Sequence, residues 1–108
     1  MITFVRTLSF PPDKTHAILS LTRQTQKLLK TRYGVDVQPK LPVGGSPHRI
    51  AYVVTVRSLA ELESLITKLA ADPDYRKLVG ATASNMIAGT TYDEIWRDIE
   101  PLPTLPDP

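Results

Sequence analysis

The stretch Ser58–Val79, SLAELESLITKLAADPDYRKLV, reads as a helix, a stop and a second start. Ser58 is a natural N-cap, and Glu61 three residues on completes a capping box, in which side chains satisfy amides that a helix leaves open. Leu59, Leu62, Leu65, Ile66 and Leu69 then recur at helical spacing and form one apolar stripe. Asp72 offers a second N-cap, and Pro73 falls at the first helical position, where a missing N–H costs nothing. The break is therefore a change of direction. Tyr75, Leu78 and Val79 are expected to cover a further patch before Gly80 ends the turn.

Working outward, Ile2 to Phe10 alternates with period two and predicts a strand, which Pro11-Pro12 stops. Asp13, or alternatively Thr15, is expected to cap a helix that runs to Tyr33 with Ile18, Leu21, Thr22, Thr25, Leu28 and Leu29 on one stripe. Gly34 follows as the residue free to take positive φ. Val35 to Val43 alternates again. Its Pro39 and Pro42 cannot donate to a ladder, which assigns this strand to a sheet edge. Gly44 to Pro47 is a turn, and His48 to Arg57, rich in Val, Ile and Tyr, is the best candidate for a central strand. Residues 84–97 are expected to form the last strand.

The order is thus strand, helix, strand, strand, helix, strand: a ferredoxin-like α+β sandwich with a four-stranded antiparallel sheet and helices on one face. Right-handed crossovers place the first and third strands in the middle. One domain over residues 1–98 is expected, followed by an extended proline-rich tail over 99–108, with prolines at 101, 103, 106 and 108.

Composition narrows the function classes. Apolar residues make up 42% and charged residues 22%, which suits a soluble globular domain. A net charge of +2 is too small to imply a nucleic-acid partner. No stretch nears the roughly 18 apolar residues of a membrane span, and the first ten residues do not resemble a secretory leader. There is no cysteine, which removes disulfides, thiolate nucleophiles and zinc–thiolate sites and makes a cytoplasmic setting the expectation.

Several segments together resemble the dimeric α+β barrel superfamily, which includes NIPSNAP-like, antibiotic-biosynthesis-monooxygenase-like and stress-responsive A/B barrel proteins. They are the proline-closed first strand (Phe10 to Lys14), HRIAYVVTVRSLAELE, ADPDYRKL and the terminal YDEIWR, and the similarity covers about residues 2–97. The resemblance implies two sheets packed face to face and a cleft between sheet and helices in each subunit. Its motifs are structural and imply no particular reaction.

The strand parities bear on dimerisation without the resemblance. Thr3, Val5, Thr7, Ala51, Val53, Thr55, Ile87, Gly89 and Thr91 form a small set. Phe4, Leu8, Ile50, Tyr52, Val54, Val56, Met86, Tyr92 and Trp96 form a bulky one. Neither reads as a solvated face, so a homodimer through the sheets is expected, with the bulky set favoured as its interface and higher assembly left open.

Candidate ligand-binding residues are Arg6, Tyr52, Tyr92, Glu94, Trp96 and His48. Arg6 and Glu94 share the bulky parity set and are expected to meet, either as a polar anchor for an anionic or phenolic ligand or as a structural ion pair. Tyr92 and Trp96 would stack beside them. His48 opens the central strand and could move a proton near neutral pH, against the plainer reading of a strand-end histidine. Two distant histidines make no metal site, VGGSPH is neither a Walker nor a dinucleotide loop, and no serine elbow is present. Arg23, Lys27, Lys30 and Arg32 read as a solvated helix face that offsets the macrodipole.

Three functions stay open. One is a protein that binds or converts a small hydrophobic or aromatic molecule without a cofactor. The others are a cofactor-independent monooxygenase or isomerase and a non-catalytic assembly module.

Overall fold

Four strands and three α-helices follow one another as β1 (Ile2–Ser9), α1 (Thr15–Tyr33), β2 (Val37–Lys40), β3 (Arg49–Val56), α2 (Leu59–Ala70), α3 (Pro73–Asn85) and β4 (Tyr92–Arg97). The computed structural model describes residues 1–99, 102, 104 and 106. The tail expected over 99–108 therefore lies largely outside the described residues. The sheet order is β2-β3-β1-β4 with every pair antiparallel. Strands β1 and β3 are central, and Pro39 sits on the edge strand β2, where its missing donor is harmless.

The capping signals of α2 and α3 and the glycine stop of α1 hold. Ser58 Oγ accepts the Glu61 amide at 3.1 Å, and the Glu61 carboxylate returns a bond to the Arg57 amide at 3.0 Å, one residue earlier than in the usual box. Gly34 ends α1 at φ 67°, a conformation that costs a residue with a Cβ. Asp72 caps α3 by accepting the amides of Asp74 and Tyr75 at 3.0 and 3.2 Å. The expected cap of α1 by Asp13 or Thr15 is replaced by a 3-10 turn over Pro12–Lys14, and no side chain caps α1 itself.

Several boundaries differ from the sequence pattern: β2 covers only Val37–Lys40, so Pro42 lies outside it, and the end of α3 and the start of β4 both shift. Helix α3 passes through Gly80 and continues to Asn85, because that glycine keeps ordinary helical φ and costs only about 1 kcal/mol there. Residues 84–91 are consequently not strand. The connection after α3 is pinned to the end of β1, with the Ile87 amide donating to Ser9 O at 2.9 Å and Thr90 Oγ1 accepting the Ser9 amide at 3.0 Å.

The helices cover the bulky face of the sheet. Ile2, Val54 and Val56 pack with Leu29, Leu62, Leu65 and Leu69, while Leu8 and Ile50 pack with Phe10 and Ile18 in a second cluster. The bulky set is therefore the internal core face, because its side chains fill the sheet–helix layer. The small set, Thr3, Val5, Thr7, Ala51, Val53 and Thr55, lies on the opposite face. β4 is one residue out of the expected parity: Phe4 pairs with Ile95 and Arg6 with Asp93, which turns Tyr92, Glu94 and Trp96 onto the small-residue face.

Candidate functional site

A cavity of about 710 Å³ lies between the sheet and the helices. That is within the range of about 300–1,000 Å³ usual for small-molecule sites. β1 contributes Phe4, Arg6 and Leu8 to its floor, and β3 contributes Tyr52 and Val54. Leu62, Leu65, Ile66, Leu69 and Ala70 of α2 form one wall, and Thr25 and Leu29 of α1 close another.

The remaining wall belongs to α3 and the segment after it. Tyr75, Val79, Thr82 and Ala83 fall at helical spacing on one side of α3, with Met86 following, and all line the cavity. No residue of α3 is buried. Tyr75 packs against the main core cluster, while Val79 and Ala83 farther along the helix are exposed at the hollow.

A network at its N-terminus holds α3 at that distance from the sheet. Arg32 Nη1 donates to both Asp72 oxygens at 2.9 Å, Arg32 Nη2 donates to Asp74 at 3.1 Å, and the Tyr33 hydroxyl donates to Asp72 Oδ2. The Tyr33 bond above all, then Arg32 and the two capped amides, hold the Asp72 carboxyl down to about 2 despite its burial. The same bond raises the Tyr33 pKa. Arg32, which reads in sequence as part of a solvated basic face, thus clamps α1 to α3. Sequence spacing carries no sign of this pairing.

The cavity is mostly apolar and has one charged feature. Arg6 Nε donates to Asp93 Oδ1 at 2.7 Å, and Nη2 donates to Oδ2 at 2.9 Å. The guanidinium carbon lies 5.6 Å from the centre of the Phe4 ring, within cation–π range. The hydrogen bonds to Asp93 raise the Arg6 pKa against the opposing effect of burial.

Two phenols stand near this pair. The Tyr52 hydroxyl shares a hydrogen bond with Thr22 Oγ1 at 3.1 Å. Among the described residues the Tyr75 hydroxyl has no hydrogen-bond partner, and it feels the charges of both Arg6 and Asp93. Burial pushes both phenols up, outweighing the lowering effect of Arg6, so both remain protonated at neutral pH.

Of the residues singled out by sequence, Arg6 and Tyr52 line the cavity and the other four do not. Glu94 does not meet Arg6, because the register gives Arg6 to Asp93 and Glu94 to Val5 on the other face. Tyr92 and Trp96 lie on that same face, 63% and 59% exposed. His48 precedes β3, gives its carbonyl to the Phe10 amide at 3.0 Å and meets the Phe10 ring edge-on, outside the cavity lining. The residues missed by sequence are Asp93, one position from the expected partner, and Tyr75, which reads as ordinary patch cover. Among the described residues no cluster of three or more His, Asp or Glu could hold a metal, and no helix is long and apolar enough to cross a membrane.

No protein-family profile matches the chain, and no curated protein is detectably similar. Solved structures are similar over nearly the whole chain. An uncharacterized NIPSNAP domain protein from Burkholderia xenovorans superposes with a TM-score of 0.78 at 13% identity, over 96% of this chain and 100% of that one. The chain shares the ferredoxin-like α+β fold of these structures. A NIPSNAP family protein of unknown function from Agrobacterium tumefaciens gives a TM-score of 0.76 at 18% identity, covering 94% of this chain and 93% of its own. A candidate antibiotic biosynthesis monooxygenase from Deinococcus radiodurans gives 0.73 at 11% identity, covering 98% and 100%. The α+β barrel likeness, at these identities, is a likeness of fold.

Proposed function

We propose that this protein binds a small hydrophobic organic molecule between its sheet and helices. The observation that carries this reading is the inner side of α3, where Val79, Thr82 and Ala83 line the hollow without joining either core cluster. Apolar surface left this way gains stability when a ligand covers it. The test is a thermal-shift screen of aromatic and aliphatic compounds against the wild type and Thr82→Phe, in which the new ring occupies the hollow. Hits are expected to raise the wild-type melting temperature and to lose their effect in the variant. Hits acting equally on both would overturn the reading. The likeness to the candidate monooxygenase from Deinococcus radiodurans makes oxygen chemistry on the bound molecule a second reading. Oxygen consumption in the presence of a hit separates conversion from binding.

We also propose that two copies pair through the face that carries Thr3, Val5, Thr7, Ala51, Val53, Tyr92 and Trp96. This face has no helix over it, yet bears two aromatic rings and a strip of valine, alanine and threonine. Contiguous apolar patches of several hundred Å² are uncommon on soluble monomers.

A further inference from the structure

The charge balance of the cavity says more about the occupant than its size does. This step rests on the proposed ligand-binding role of the same site. Arg6 and Asp93 are the charged residues of the lining, and they neutralise each other through a two-bond fork at 2.7 and 2.9 Å. A fork of this kind is the strong form of ion pair, and it fixes both partners in one plane.

An entering carboxylate or phosphate would meet the Asp93 carboxylate beside the only guanidinium. The free donors of this site could reach such an anion only with its charge beside the Asp93 carboxylate, a like-charge approach that costs affinity, damped by solvent because the two side chains are 36% and 40% exposed. An uncharged oxygen meets no such barrier. The fork uses Nε and one Nη of Arg6, leaving Nη1 able to donate, and the Tyr75 hydroxyl is a donor without a partner among the described residues. Thr25 and Thr82 commit their hydroxyl protons to carbonyls of their own helices, so they do not compete as donors.

We propose that the cavity selects an uncharged hydrophobic molecule bearing a carbonyl or hydroxyl group, bound at Tyr75 and Arg6, and discriminates against the matching anion. Asp93 is the residue that sets this selectivity, by cancelling the charge that would otherwise attract an acid.

The test uses two near-isosteric naphthalene probes, 2-acetonaphthone and 2-naphthoate, titrated at neutral pH by calorimetry. The wild type is expected to bind the ketone about tenfold or more tighter than the carboxylate. In Asp93→Asn the guanidinium is no longer neutralised. Naphthoate affinity is then expected to rise about tenfold while ketone affinity changes little. Wild-type preference for naphthoate, or an Asp93→Asn variant with unchanged naphthoate affinity, would overturn the selectivity and leave the binding role standing. If neither probe binds the wild type, the binding role fails and the selectivity with it. Tyr75→Phe supplies a second measurement: it is expected to weaken the ketone alone, and an equal loss for both probes would count against the assigned head-group contact.

Discussion

Arg6 on the central strand β1 and Asp93 on the edge strand β4 stand directly opposite each other in the register and close a planar fork on the helix-covered side of the sheet. Their neighbours one residue along, Val5 and Glu94, face the other way. The sheet therefore has two chemically distinct sides within a single register step, and each side yields its own prediction.

On the uncovered side, the paired state is expected to persist at micromolar concentration and to dissociate in Val53→Asp, which puts a charge in the middle of the strip. Sedimentation velocity reads this directly. Trp96, the single tryptophan, is exposed in one chain and is expected to shift its emission to the blue as copies associate. A wild type that sediments as a well-folded single subunit would refute the pairing.

On the covered side, core and cavity wall are expected to respond differently to truncation. Ile18 is completely buried between helix and sheet, and Ile18→Ala is expected to cost ~2–5 kcal/mol. Val79 is 41% exposed and faces the hollow, so Val79→Ala is expected to cost about 0.5 kcal/mol or less while weakening ligand binding. Urea midpoints and ligand titrations on the two variants separate these effects.

The clamp at Asp72 makes stability depend on acid. Its folded-state pKa is lowered from 3.8 to about 2, so its contribution is fully present above about pH 4 and disappears as pH falls towards 2. Denaturant midpoints measured across that interval are expected to drop in the wild type and to drop less in Asp72→Asn, which can still cap α3 but carries no charge. Tyr33→Phe removes the largest lowering influence, so the decline is expected to be smaller and to level off at a higher pH.

Two glycines offer a matched pair. Gly34 has φ 67°, and Gly34→Ala is expected to destabilise by about 1 kcal/mol. Gly80 is helical, and an added Cβ meets nothing within 4 Å, so Gly80→Ala is expected to stabilise by ~0.5–1 kcal/mol. Equal effects of the same sign would contradict the helical assignment through position 80.

Local signals read well from sequence where a few neighbouring residues decide the outcome. The caps at Ser58 and Asp72, the glycine stop at 34 and the edge position of Pro39 needed no tertiary information. The alternation in β1 and β3 also identified the two central strands. What did not read correctly was β4. Its parity depends on how far the chain travels between Asn85 and Tyr92, and that distance is set by bonds from Ile87 and Thr90 to Ser9, about eighty residues earlier in the chain. A slip of one residue exchanged Glu94 for Asp93 and moved three aromatic or acidic candidates to the wrong side. The clamp on Asp72 was hidden for the same reason, because Arg32 looks like any basic residue near a helix end. The bulky face was assigned outward because parity alone does not say on which side the crossover helices lie.

Helix α3, tethered at Asp72 and without a buried residue, has little of its own to resist local opening. Its amide protons are expected to exchange with solvent before those of α1 and α2. Under the proposed binding role, a molecule in the hollow would add packing along α3, and the exchange of its amide protons would then report occupancy.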